Sequence, residues 1–344
     1  AQSAACSVFY SPDLRTGPSH DLCCRVPHEA FSRPVPQGDH VVLIDAKPRA
    51  AAASAALRDE AYAEIRASLA ALADAGAFDA HDIDAILPRI RFISRDQAAA
   101  ALPAIDVLFE GVPETMEAKR AAFDFAAPHL RPDAILASTT STMLSTQLAG
   151  LVPQPARFLN CHWLNPAYLI PLVELSPHPG TDPAVPARLR SVLEAIGKKP
   201  VVCAAAPGYI VPRLQALVMN EAARMVEQGI ATAEDVDRAV RYGFGIRYAS
   251  MGVVEFIDYG GLDILYYASH YLAGALDDPR FEPPAIVDRY MREGRRGLRD
   301  GKGFFDWQAV DAAAYRKDLL ARQLALLRHL GLAPEPGAAL KARD

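Results

Sequence analysis

Cationic excess is missing from this chain: 36 Lys and Arg stand against 41 Asp and Glu, for a net charge of −5. Without a positive field there is nothing to neutralise a run of phosphates, so nucleic acid is not an expected partner. Cysteine is scarce. Of five Cys, only Cys23 and Cys24 are adjacent and no CxxC pair occurs, which argues against a disulfide framework or a metal site and for reduced thiols in a cytoplasm. Long apolar runs are missing too: the charge-free stretch 134–156 carries Ser, Thr, Gln and two Pro, so no transmembrane helix and no membrane partner is expected. The first residues lack a positive region followed by an apolar core, so no secretory signal is expected either. Glycine is absent where it would count, because between Cys23 and Asp45 the only one is Gly38.

What is present suits a soluble globular protein, with 51% hydrophobic and 22% charged residues. At 344 residues two domains are expected, since one core seldom grows past about 250–300 residues. Residues 1–39 show no sustained period and read as an irregular leader. At His40 the character changes. Val41-Val42-Leu43-Ile44 reads as a buried strand ending on Asp45, and 49–75 as an amphipathic helix. Strands at 91–93, 106–110 and 134–137 then alternate with helices at 97–102 and 117–127, and a further strand falls at 199–203. That alternation predicts an α/β fold, a Rossmann-like parallel sheet domain over 40–206 followed by an all-α domain over 207–331 and a loose tail over 332–344. Pro207-Gly208 marks the joint.

The residues with chemistry cluster beyond the carboxyl ends of the strands, where such sheets bind ligands. His162 lies twelve positions before Glu174, in a strongly apolar stretch. A His oriented by a carboxylate moves protons near neutral pH, although a hydrogen-bonded core His beside an unrelated Glu fits the same text. Asp45 is placed to accept both hydroxyls of an adenine ribose, which favours NAD; it equally suits a helix N-cap, and Lys47 and Arg49 lie close by. The run Ser138-Thr139-Thr140-Ser141 offers a hydroxyl to a substrate oxygen or merely caps the next helix. Arg247, among glycines and aromatics, suits a substrate carboxylate or simply water. The expected partner of Asp45, a G-x-G-x-x-G turn some 20 residues earlier that would hold the pyrophosphate, is not there.

Taken together, the segments 107–114 with Lys119, 135–141, His162-Trp163-Leu164-Asn165-Pro166 with Leu172-Val173-Glu174, 207–214, 252–263 and 301–307 resemble the L-3-hydroxyacyl-CoA dehydrogenase family, which includes gulonate and carnitine dehydrogenases. The resemblance runs from about His40 to Trp307. It implies an NAD-dependent oxidoreductase of fatty-acid type metabolism that interconverts an L-3-hydroxyacyl substrate, as CoA thioester or small free acid, and its 3-oxo counterpart. It assigns general base to His162, its orientation to Glu174 and a substrate hydrogen bond to Ser141. Cofactor contacts fall on Asp45, Glu114, Lys119, Thr139 and Asn165, and a homodimer paired through the helical domain is implied.

Three departures stand out. Thr139-Thr140-Ser141 replaces the family's Asn-Thr-Ser, and Pro212 replaces the Asn of its domain joint. The leader 1–39 stands where the family has its first strand and glycine turn; similarity resuming at His40 without a gap suggests text from a shifted reading frame. A competing expectation is therefore a non-catalytic dimeric binding protein that kept the fold and lost the cofactor.

Overall fold

A computed structural model of the chain describes residues 5–10 and 40–333. Eight strands form one sheet: β1 Ala5–Tyr10, β2 His40–Asp45, β3 Ile90–Ile93, β4 Val107–Glu110, β5 Ile135–Ser138, β6 Phe158–Trp163, β7 Leu172–Pro177 and β8 Lys199–Val202, in the order β3-β2-β1-β4-β5-β6-β7-β8. The first six are parallel to one another. This is the doubly wound arrangement that the alternation of strand and helix foretold.

Two expectations change. The leader is not irregular throughout, because β1 pairs with β2 on one side and β4 on the other. Its text, Ala-Cys-Ser-Val-Phe-Tyr, is short and ends in β-branched and aromatic residues, but only pairing with two neighbours identifies it as a strand. The glycine turn would fall after β1, among residues 11–39, which lie outside the described ones, as does nearly all of the tail. The sheet is also not wholly parallel. β7 runs antiparallel to β6 because the connection 164–171 is too short for a crossover, which takes a dozen residues or more.

Every residue of β4, β5 and β6 is buried, since helices cover both faces. Alternate strand residues feed two cores. Val41, Leu43, Val107 and Phe109 face Ile65 and Leu69 of helix α1 (Ala51–Asp74), while Val42, Ile44 and Leu108 face Ala98 of α2 (Arg95–Ala101) and Phe123 of α3 (Met116–Ala126). α1 is helical because Leu57, Ala61, Ile65, Leu69 and Leu72 recur on one face at steps of four and three. The side chain of Thr115 caps α3, accepting from the Ala118 N–H at 3.2 Å. α4 (Ala184–Ala195) follows β7 and buries Val185, Leu189 and Leu193.

The chain divides into two compact units, residues 1–218 and 219–344. α5 (Val211–Glu227) begins in the first. The second holds α6 (Ala233–Ala239), a π-helical turn at Val240–Gly245, α7 (Ile246–Ser250), α8 (Val253–Gly260), α9 (Leu262–Leu276), α10 (Ala285–Arg292) and α11 (Ala312–His329), with no strand among its described residues. No helix of the described residues is long and apolar enough to cross a membrane.

Candidate active site

The parallel strands end together, and their last residues are polar: Asp45 on β2, Glu110 on β4, Ser138 on β5, with His162 next to last on β6. Side chains buried in otherwise apolar strands must be paired there, and each pairing builds part of the site.

The antiparallel register sets His162 directly opposite Glu174. His162 Nδ1 lies 2.8 Å from Glu174 Oε2, and both side chains are buried. The other oxygen, Oε1, accepts the N–H groups of Ile210 and Val211 at 2.9 Å each, where α5 begins. A helix has N–H groups to spare in its first turn, and a carboxylate is the partner its dipole favours. Pro212 fits here because a residue in the first turn needs no N–H of its own. Burial alone would push the Glu174 carboxyl up, but the hydrogen bonds from His162, Val211 and Ile210 outweigh it and hold it below its ordinary value. An ionised Glu174 accepts from Nδ1–H, which fixes the neutral tautomer with its lone pair on Nε2.

Behind this pair sits a second network. Glu110 and Lys119 are fully buried; Lys119 Nζ lies 3.1 Å from both Glu110 oxygens and 3.8 Å from Glu114 Oε1. Glu110 also accepts from Ser138 Oγ at 2.6 Å and the Val112 N–H at 2.7 Å. Glu114 accepts from Thr140 Oγ1 at 2.6 Å, Thr142 Oγ1 at 3.2 Å and the Ser141 N–H at 3.3 Å, so the hydroxyl run is laced to a carboxylate. Within that run the buried Oγ atoms of Thr139 and Ser141 have no partner. A buried hydroxyl left unpaired is costly, and a ligand oxygen would satisfy it.

Asp45 is buried and accepts the Lys47 N–H at 3.1 Å and Arg49 Nε at 2.9 Å. Each oxygen keeps a lone pair for a further donor. Beside it a cleft of about 470 Å³ runs between the ends of β2 and β4, lined by Ala46, Val112 and Ala118 together with the charged Lys47, Arg95 and Glu117. Small apolar side chains edged by charged ones, next to a buried carboxylate, suit an adenosine, and the unpaired hydroxyls suit the reacting end of a dinucleotide. The described residues thus fit both ends of NAD, while the sequence offers no glycine turn between β1 and β2 for its middle.

Two expected residues remain, one in each unit. Asn165 is exposed in the β6–β7 connection, before a cis bond to Pro166. Arg247 is exposed on α7, its guanidinium carbon 5.6 Å from the centre of the Phe256 ring in the helical unit. Among the described residues no group of three His, Cys, Asp or Glu could hold a metal ion. Sequence reasoning placed Glu110 at the ligand end of its strand without giving it a role, and it gave none to Asn160 and Tyr209. A charged residue closing a wholly apolar strand was the signal for Glu110; for the other two there was none without the fold.

The chain is similar to known proteins over most of its length. Residues 35–206 match the NAD binding domain of 3-hydroxyacyl-CoA dehydrogenase and residues 208–307 its C-terminal domain. A 3-hydroxybutyryl-CoA dehydrogenase of Bradyrhizobium diazoefficiens is 31% identical over 225 residues, covering 64% of this chain and 76% of the relative. The 5-formyl-3-hydroxy-2-methylpyridine 4-carboxylate 5-dehydrogenase of Mesorhizobium japonicum is 29% identical over 236 residues, 68% of this chain and 76% of its own. A solved 3-hydroxyacyl-CoA dehydrogenase from Archaeoglobus fulgidus superposes with a TM-score of 0.71 at 28% identity, covering 96% of this chain and 99% of that one. With both domains matched in order, the chain belongs to the 3-hydroxyacyl-CoA dehydrogenase family of NAD-dependent oxidoreductases.

Proposed function

We propose that His162 is the general base of this dehydrogenase and takes the proton of a substrate 3-hydroxyl, with Glu174 orienting its ring. The observation that carries this is the buried His162–Glu174 pair at 2.8 Å, whose carboxylate is anchored on two N–H groups of α5. Nε2 receives the proton, and the ionised Glu174 stabilises the imidazolium that results. Bound NAD supplies the hydride acceptor. Ser141 Oγ, buried and unpaired, holds the substrate oxygen, and Thr139 Oγ1 is free for the cofactor. Asp45 receives the adenine ribose. Glu114, held between Lys119 and the hydroxyls, positions the 138–141 run, and Asn165 contributes to the cofactor's rim.

The decisive experiment is His162→Ala assayed with NAD and 3-hydroxybutyryl-CoA. A base of this kind contributes roughly 10²–10⁴ in rate, so kcat falls by at least about 10². A variant that keeps its turnover overturns the assignment.

The substrate is an L-3-hydroxyacyl compound, as thioester or small free acid. The pyridine carboxylate named for the Mesorhizobium relative favours a free carboxylate, for which Arg247 is the recognising cation. Arg247→Ala should raise KM sharply for a free 3-hydroxy acid; an unchanged KM removes that role.

The chain works as a homodimer paired through its helical unit. On α9, Ile264, Tyr267 and Tyr271 share one face and are 63%, 65% and 73% exposed, an apolar stripe that a second copy would cover. Sedimentation of the full chain at monomer mass would refute this. The partners are small molecules rather than nucleic acid or membrane, and the place of work is a reducing cytoplasm suited to the free thiols Cys161 and Cys203, which cell fractionation checks.

A further inference from the structure

Tyr209 holds a backbone conformation that tyrosine seldom takes. Its φ is +44°, directly after Gly208 at +76°. Glycine adopts this left-handed region freely, whereas a bulky side chain there is strained and persists only where the surroundings over-determine it. The surroundings are specific. The Tyr209 ring stacks on the imidazole of His162, with centroids 4.7 Å apart and planes 7° from parallel. Its hydroxyl donates to the Thr140 carbonyl at 2.7 Å and accepts from Asn160 Nδ2 at 3.0 Å, while Asn160 Nδ2 also donates to the Met143 carbonyl at 2.8 Å. The next two residues give their N–H groups to Glu174.

One three-residue segment, 209–211, therefore touches the imidazole, its carboxylate and the hydroxyl run. We propose that Tyr209 is a positioning residue for His162, its ring a flat stop against the imidazole and its hydroxyl the anchor that keeps the ring from swinging. This rests on His162 being the base. The stack does two things. It leaves the imidazole one plane in which Nδ1 meets Glu174 and Nε2 faces the substrate, and it offers an aromatic face to the imidazolium once the proton has arrived. The hydroxyl does no proton chemistry: burial pushes it well above the ordinary range, Asn160 opposing, with Glu114, Cys203 and Cys161 adding to the rise. The ionisable groups around the stacked pair are Glu174 on β7, Cys161 on β6, Cys203 after β8 and Glu114 after β4.

The test is proton NMR of the full chain together with steady-state kinetics on Tyr209→Phe and Tyr209→Leu, with His162→Ala assigning the imidazole signals. In the wild type the His162 carbon-bound protons are shifted upfield by the ring current, and the Nδ1–H bonded to Glu174 exchanges slowly with water. Tyr209→Phe keeps the upfield shift, because the ring remains, and lowers kcat about threefold as the anchor is lost. Tyr209→Leu loses the shift, exchanges Nδ1–H at least about tenfold faster and lowers kcat about tenfold or more, with KM for NAD unchanged. Unchanged exchange in the leucine variant overturns the proposal, and so does a loss expressed in KM for NAD. Should Tyr209→Leu not fold, the phenylalanine variant decides, since a wild-type kcat there removes the anchor. The two readings separate cleanly: turnover surviving in His162→Ala refutes the base, whereas the exchange rates judge Tyr209 whatever the turnover.

Discussion

Glu174 has both carboxylate oxygens engaged, one by the His162 ring and one by two N–H groups at the start of α5. Those bonds lower its pKa against the push of burial. A depressed carboxyl contributes stability that is fully present above its unfolded value, near 4.5, and is lost as pH falls through the folded one. Acid unfolding followed by circular dichroism should therefore steepen below that value in the wild type. Glu174→Gln, which keeps the shape without the charge, should show a flatter acid limb; matching limbs would mean that another group carries the acid transition. Residue types alone named this pair, because only a His and a carboxylate share an apolar stretch there. Their spacing said nothing of which face each would occupy. Tyr209 was illegible for a stronger reason, since neither its positive φ nor its stack on His162 has a local signal.

The β6–β7 hairpin turns a separation of twelve residues into direct opposition, and a slip of one residue would send Glu174 to the other face of the sheet. The helical unit repeats the lesson. Asp258 on α8 is buried and accepts the N–H groups of Phe304 and Phe305 at 2.9 and 2.8 Å and Trp307 Nε1 at 2.8 Å. Two stretches that the sequence offers as separate motifs, 252–263 and 301–307, are thus one structure clasped by a single carboxylate. Gly297, at φ +105°, lets the chain pass: a Cβ there would come within 2.1 Å of the Asp258 carbonyl oxygen. Asp258→Ala strands three donors, the buried Trp307 Nε1 among them, and should destabilise the chain by about 2 kcal/mol or more in denaturant unfolding. A shift below about 1 kcal/mol would show that water replaces the carboxylate.

For the molecule as a whole the open quantity is how well NAD is held without a glycine turn. β1 completes the sheet from text unlike the family's, yet the sequence of 11–39 holds only two glycines, Gly17 and Gly38, and no G-x-G-x-x-G pattern. Calorimetric titration of NADH into the full chain should give a micromolar Kd if the adenosine cleft and the strand-end hydroxyls suffice. An absence of heat would point to the leader as the fault, and intact mass with resequencing of the coding DNA would then decide whether a shifted frame wrote it. The sequence by itself determined the fold class and the helical second half, and it brought His162, Glu174, Ser141 and Asp45 forward as candidates, because hydrophobic period and residue chemistry are local properties. Tertiary structure decided the rest: that 5–10 is a strand, that β7 turns back, that Lys119 is spent between two carboxylates and that Tyr209 stacks on the base. Each of these depends on what lies opposite across the sheet or the core, and no stretch of sequence carries its partner's position.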